Sequence, residues 1–303
     1  MQKRKFALQM PPLGQLRTLH HGALSFSAWE QGEGPLVLCL HGFPDHARSF
    51  RSQLTVLGKA GFRALAPTMR GYEPSSQPLD GDYQLLRLAS DVIAWIDGLG
   101  VERCHVIGHD WGAVVAHLVA AMAPERLLSL TTIAVPHPGR ILSELLRNRP
   151  SQLARSWYML FFQLRGVAEY AIERDDWVFL DRLWQAWSPA YVLPDDERRA
   201  LKQTFAQPGV KRAALLYYRS LARPFSQSAH ETRRLFKRPI QVRTLALTGA
   251  QDGCMDTRLY DDLMHPADFP AGLRVVRVGQ SGHFLHQEQP EQVNRLLLDW
   301  LRG

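Results

Sequence analysis

Cysteine is scarce in this chain: 303 residues hold three, Cys39, Cys104 and Cys254, with no Cys-x-x-Cys spacing. An odd, unpaired set argues against a disulfide framework and suits a reducing, cytoplasmic location. It also removes the cysteine pairs of ordinary zinc sites, so neither a metal nor another cofactor is expected. Cys39 and Cys104 stand in apolar runs, whereas Cys254 stands in a polar loop. Long apolar stretches are missing as well. The opening MQKRKFALQMPPLG starts basic, but Gln and two prolines interrupt its apolar part, which does not make a signal peptide. No run of about 18 apolar residues follows, so no membrane span is expected. The formal net charge of +7 is scattered, without a block of Lys or Arg. Scattered arginine is the usual solvated, ion-paired surface and does not signal a nucleic-acid partner. Repeats and low-complexity linkers are also lacking.

What the chain does have is apolar material for one large core, 46% of its residues against 21% charged. Short aliphatic runs at Leu36 to Leu40, Arg63 to Pro67, Cys104 to Ile107, Leu128 to Val135, Arg243 to Thr248 and Leu273 to Val278 predict doubly buried strands. Helical periodicity lies at Phe50 to Ala60, Leu85 to Leu99, Trp111 to Met122 and Glu291 to Leu301. Such alternation predicts an α/β protein with a mostly parallel central sheet and helices on both faces. Ahead of it, Leu16 to His21 and Ala23 to Trp29 predict an antiparallel hairpin at a sheet edge. After Val135 the alternation stops for about a hundred residues rich in Arg, Trp, Tyr and Phe. We read residues 137–239 as a helical cap inserted into a core made of residues 1–136 and 240–303. An insertion at the carboxyl end of a strand lies where open α/β sheets bind ligands.

Four motifs carry chemistry. In VIGHDWGAVVA, Val106 to Ala116, a strand runs through Gly-x-x-x-Gly straight into a helix, the pattern of a nucleophile elbow. Asp110 occupies the place that serine holds in serine hydrolases. Attack by a carboxylate on an ester yields only an anhydride, but displacement at an sp3 carbon yields an alkyl ester. The plainer alternative, an Asp that caps the helix, leaves the flanking Gly108 and Gly112 unexplained. In CLHGFPDHARSF, Cys39 to Phe50, the loop can aim the Phe43 amide at the same point as the Trp111 amide, forming an oxyanion hole. In VGQSGHFLHQEQPEQVN, Val278 to Asn294, His283 sits beside glycine in a loop. His286 competes with it, but its neighbours Gln287 and Glu288 suggest a solvated helix start. His41 and His109 are expected to be structural. LTGAQDGCMD offers Asp252 to orient His283, with Asp256 as runner-up. The order nucleophile, acid, histidine is that of the α/β-hydrolase fold.

With HGFP at 41–44, RGY at 70–72, GHDWG at 108–112 and GHFLHQE at 282–288, the chain resembles the epoxide hydrolase branch of the α/β-hydrolase family over almost its whole length. Several of these motifs are shared with dehalogenases. The resemblance implies two cap tyrosines that hold an epoxide oxygen. WYMLFFQ supplies Tyr158 and LLYYRSL supplies Tyr218; the adjacent Tyr217 would point about 100° away on a helix. It further implies a small epoxide as substrate, turned into a vicinal diol through a covalent ester on Asp110 that His283-activated water hydrolyses. Dehalogenases generally carry Asn after His-Gly, where this chain has Phe43. A haloalkane or haloacid dehalogenase and a non-catalytic ligand-binding member of the fold are the rival readings. Phe43, Trp111, Trp157 and Phe162 are expected to line the pocket, with Phe161, Trp184 and Trp187 adding to an apolar or aromatic substrate preference. Oligomeric state stays open, a homodimer being one option.

Overall fold

The computed structural model describes residues 13–141 and 150–303, and in it the apolar run Leu36–Leu40 forms strand β3 with all five residues buried. Leu36, Leu38 and Leu40 join one core, whereas Val37 and Cys39 join another on the opposite face. A strand that is apolar at every position fits a sheet covered on both sides. β1 (Gln15–His21) and β2 (Leu24–Gln31) form the edge hairpin. With β4 (Arg63–Pro67), β5 (Cys104–His109), β6 (Leu127–Ile133), β7 (Thr244–Gly249) and β8 (Leu273–Val278) they make an eight-stranded sheet ordered β1-β2-β4-β3-β5-β6-β7-β8. β2 also pairs antiparallel with β4, and every pairing from β4 to β8 is parallel.

β8 departs from the expected double burial. Arg274, Val275 and Arg277 are exposed and only Val278 is fully buried. As an edge strand, β8 has β7 on one side and, among the described residues, no strand on the other, so polar residues are tolerated there.

One face of the sheet is covered by α1 (Arg51–Lys59) through Leu54 and Leu57, and by α12 (Pro290–Arg302) through Val293, Leu297 and Leu301, four residues apart. The other face holds α2 (Leu85–Gly98) and α3 (Trp111–Met122), with Val92, Trp95, Val115 and Val119 in the core. Between β6 and β7 the described residues form only helices: α4 (Pro150–Arg155), α5 (Trp157–Phe161), α6 (Val167–Trp187, broken at Arg174 to Trp177), α7 (Asp195–Ala206), α8 (Val210–Leu221) and α9 (Gln227–Leu235), apart from a short 3-10 turn at Pro138–Arg140. Two shorter helices, α10 (Leu259–Leu263) and α11 (Leu285–Glu288), follow β7 and β8.

This helical segment rests on loops that leave the carboxyl ends of the strands. The Trp184 indole donates to the Pro44 carbonyl, 2.9 Å. The Trp187 carbonyl accepts from the amides of Gly253 and His283, each 3.0 Å. The Tyr217 hydroxyl donates to the Arg70 carbonyl, 2.7 Å. Arg70 itself is buried and grips Asp91 through two bonds of 2.6 and 2.7 Å, which steadies the loop that Tyr217 holds.

Candidate active site

At the tip of β5 the chain must turn at once into α3, and Asp110 takes that turn with φ 50° and ψ −118°. A non-glycine residue there is strained, and the packing around it enforces the strain. A side chain on Gly108 would meet the Gly112 backbone, and one on Gly112 would meet the Leu40 carbonyl. Only glycine lets the elbow press this close to β3. The Asp110 side chain caps no amide of α3. Instead its Oδ1 accepts the Phe43 amide, 2.8 Å, and its Oδ2 lies 3.4 Å from His283 Nε2.

His283 Nδ1 lies 2.9 Å from Asp252 Oδ2, whose other oxygen accepts the amides of Cys254 and Met255 at 2.7 and 2.8 Å. Asp256 is turned away to Arg258, which it meets at 2.6 Å and which holds its carboxyl down at about 2. His283 is fully buried. Burial opposes its protonation, but the Asp252 charge and hydrogen bond, together with the Asp110 carboxylate 3.4 Å away, outweigh burial and raise it to about 10. His283 is therefore an imidazolium near neutrality.

Aromatic rings close over Asp110. Phe43 meets Phe162 at 5.3 Å and Tyr218 at 5.2 Å, and Trp111 meets Tyr218 at 5.0 Å. Tyr158 stands 5.7 Å from Tyr218 and 5.0 Å from Trp187, and Trp187 stands 5.1 Å from His283. Burial pushes both Tyr158 and Tyr218 well above their ordinary range, and the Asp110 charge adds to this, so both phenols keep their protons. The Tyr218 hydroxyl has no hydrogen-bond partner among the described residues, whereas Tyr217 spends its hydroxyl on Arg70.

Some expectations need correction. Trp157 does not line this centre: it is 51% exposed and its ring neighbours are Phe161 and Phe179, because it precedes Tyr158 on a helix and points about 100° away. Trp184 stacks on Phe284 and anchors Pro44. Cys254 is buried, with its Sγ 3.4 Å from the Tyr158 hydroxyl. His286 is also fully buried, stacked on Phe50 and beside His109, and is held well below its usual range by burial and by those neighbouring imidazoles, His109 and His283. Phe205, whose ring meets Phe43 at 5.7 Å, belongs to no motif that sequence reading could use.

Comparison with known proteins follows the same lines. Residues 35–290 match the alpha/beta hydrolase fold family. Among curated proteins, the chain is 31% identical to the AB hydrolase superfamily protein YfhM of Bacillus subtilis, covering 92% of this chain and 94% of that one. It is 30% identical to Epoxide hydrolase 4 of Homo sapiens, covering 91% of this chain and 74% of that one. Among solved structures, a Bacillus megaterium epoxide hydrolase in complex with an inhibitor superposes with a TM-score of 0.83 at 27% identity, covering 95% of this chain and all of that one.

Proposed function

The chain belongs to the epoxide hydrolase branch of the alpha/beta hydrolase fold family, and we propose that it hydrolyses an apolar or aromatic epoxide to a vicinal diol through an ester on Asp110. The observation that carries this reading is a carboxylate, in place of a hydroxyl, at the elbow, with the Tyr218 hydroxyl unpartnered among the described residues and Tyr158 beside it. In this reading residues 137–239 are the cap and residues 1–136 and 240–303 the core, with residues 1–12 and 142–149 lying outside the described residues.

The cycle starts with Asp110 ionised and His283 protonated. Asp110 attacks one epoxide carbon as the carbon–oxygen bond breaks, and Tyr158 and Tyr218 donate to the departing oxygen. Ester formation removes one of the two carboxylate charges facing His283, so its hold on the proton weakens. That proton balances the alkoxide, by way of a tyrosine. The neutral imidazole, oriented by Asp252, then takes a proton from water, and the hydroxide adds to the ester carbonyl. The Phe43 and Trp111 amides hold the tetrahedral oxyanion. Collapse releases the diol and restores the Asp110 carboxylate and the His283 imidazolium. No metal or organic group takes part in this cycle. Phe43, Trp111, Phe162 and Trp187 offer the substrate a largely apolar surface.

Incubating the pure protein with aryl and alkyl epoxides and with haloalkanes, and measuring diol and halide, tests the reading. Diol from epoxides is expected. Halide release without diol would establish the dehalogenase reading instead, and neither product would leave a ligand-binding protein.

The tyrosines separate by role. Tyr158→Phe and Tyr218→Phe should each slow ester formation by on the order of 10 to 1,000-fold in single-turnover measurements, since each removes a donor to the epoxide oxygen. Tyr217→Phe should mainly lower thermal stability, by about 1–2 kcal/mol, because it leaves the Arg70 carbonyl unpaired. A silent Tyr218→Phe beside a slow Tyr217→Phe would reverse the assignment.

A further inference from the structure

Behind His283 lie three polar side chains for which the cycle above has no use. Asp45, His109 and His286 are each fully buried. They belong to the three segments that carry the site: Asp45 follows the Phe43 turn, His109 precedes Asp110, and His286 follows His283. Neither oxygen of Asp45, nor Nδ1 of His109, nor either ring nitrogen of His286 has a hydrogen-bond partner among the described residues. Buried polar atoms left unsatisfied are costly, so a cluster of them needs a reason.

The tautomer of His109 supplies one. Its Nε2 lies 3.1 Å from the His283 carbonyl, an oxygen that can only accept, so Nε2 carries the ring proton. In the neutral ring Nδ1 then holds a lone pair, and it lies 3.4 Å from Asp45 Oδ2. Two acceptors face one another in a buried space, which calls for a positive charge between them. A shared proton would draw them to about 2.7–2.9 Å, the usual length of a charge-assisted bond. A wider gap suits a metal ion: ligand atoms about 2.0–2.1 Å from a tetrahedral zinc stand roughly 3.3–3.4 Å apart. The His286 ring lies 4.5 Å from the His109 ring, and one ligand atom from each of the three residues lies within 4.8 Å of the others. His109 also meets the outer requirement on a ligating imidazole, since its second nitrogen donates to a carbonyl.

We propose that Asp45, His109 and His286 bind one divalent transition-metal ion, zinc being the best match to two imidazoles and a carboxylate in tetrahedral array, with solvent in the fourth position. The ion joins the oxyanion loop, the elbow and the histidine loop, and its role is structural. This site does not depend on which substrate the protein turns over.

The test uses the full chain without an affinity tag, freed of metal with a chelator and titrated with Zn2+ by calorimetry and with Co2+ by visible absorption. One equivalent of Zn2+ should bind more tightly than about 1 µM, near −8 kcal/mol, and Co2+ should develop ligand-field bands. Asp45→Asn and His286→Gln should each weaken Zn2+ binding by about 100-fold or more. Crystals grown with zinc should show an anomalous peak between Asp45 and His109, a readout that holds even if a variant does not fold. Absence of stoichiometric binding, binding that both variants leave intact, or a peak elsewhere would overturn the site.

Discussion

Asp110→Ala is expected to lower turnover by on the order of 10⁴-fold or more while the protein remains folded, because the proposed cycle contains no second nucleophile. The substitution retains a Cβ at φ 50°, so the strain of the elbow is unchanged. It removes an acceptor from the Phe43 amide and a negative charge from beside His283. Those losses should shift stability by about 1–2 kcal/mol, well short of unfolding. Rate and melting temperature have to be measured on one sample. A variant that melts as a single domain near the parent temperature and still forms diol at the parent rate would rule out Asp110 as nucleophile.

His283→Gln separates the two halves of the cycle. Ester formation needs the Asp110 carboxylate and the two phenols, whereas breakdown needs a base for water. The variant should therefore react once and stop, with hydrolysis of the ester slowed by roughly 10² to 10⁴-fold. Intact-protein mass spectrometry should find the chain heavier by one whole substrate, on the peptide that contains Asp110. Asp252→Asn should trap the same ester less completely, since the imidazole stays but loses the carboxylate 2.9 Å from its Nδ1. Asp256→Asn should turn over normally, because Asp256 is engaged with Arg258. An adduct on another residue, or normal breakdown of the ester without His283, would refute the mechanism. Ester accumulation in Asp256→Asn alone would move only the acid.

Local chemistry explains why so much of this site is legible from residue order. A strand that turns into a helix across Gly108 and Gly112 leaves the residue between them little choice of direction, so Asp110 is readable without coordinates. The same holds for β3 and β5, whose uninterrupted apolar runs can be stable only when covered on both faces. His283 stands out because glycine precedes it in a loop after the last strand. Where two similar residues neighbour each other, one-dimensional spacing loses its power. Asp252 and Asp256 differ only in which carboxylate the loop turns toward His283, and the amides of Cys254 and Met255 make that choice by holding Asp252. Tyr217 and Tyr218 differ by a rotation of about 100° on one helix, and contact with Arg70 shows which of them faces the loop.

The sequence by itself determined the layered α/β architecture, the edge hairpin, the elbow at Asp110 and the helical nature of the insertion, because each rests on periodicity or on glycine within a few residues of chain. Tertiary structure alone decided that Trp157 faces outward while Trp187 reaches His283, that Cys254 meets Tyr158, that β8 has an open edge, and that Asp45, His109 and His286 converge. Each of these depends on contacts between segments far apart in the chain. Side-chain direction there is set by what the other segment presents, and no local pattern encodes that.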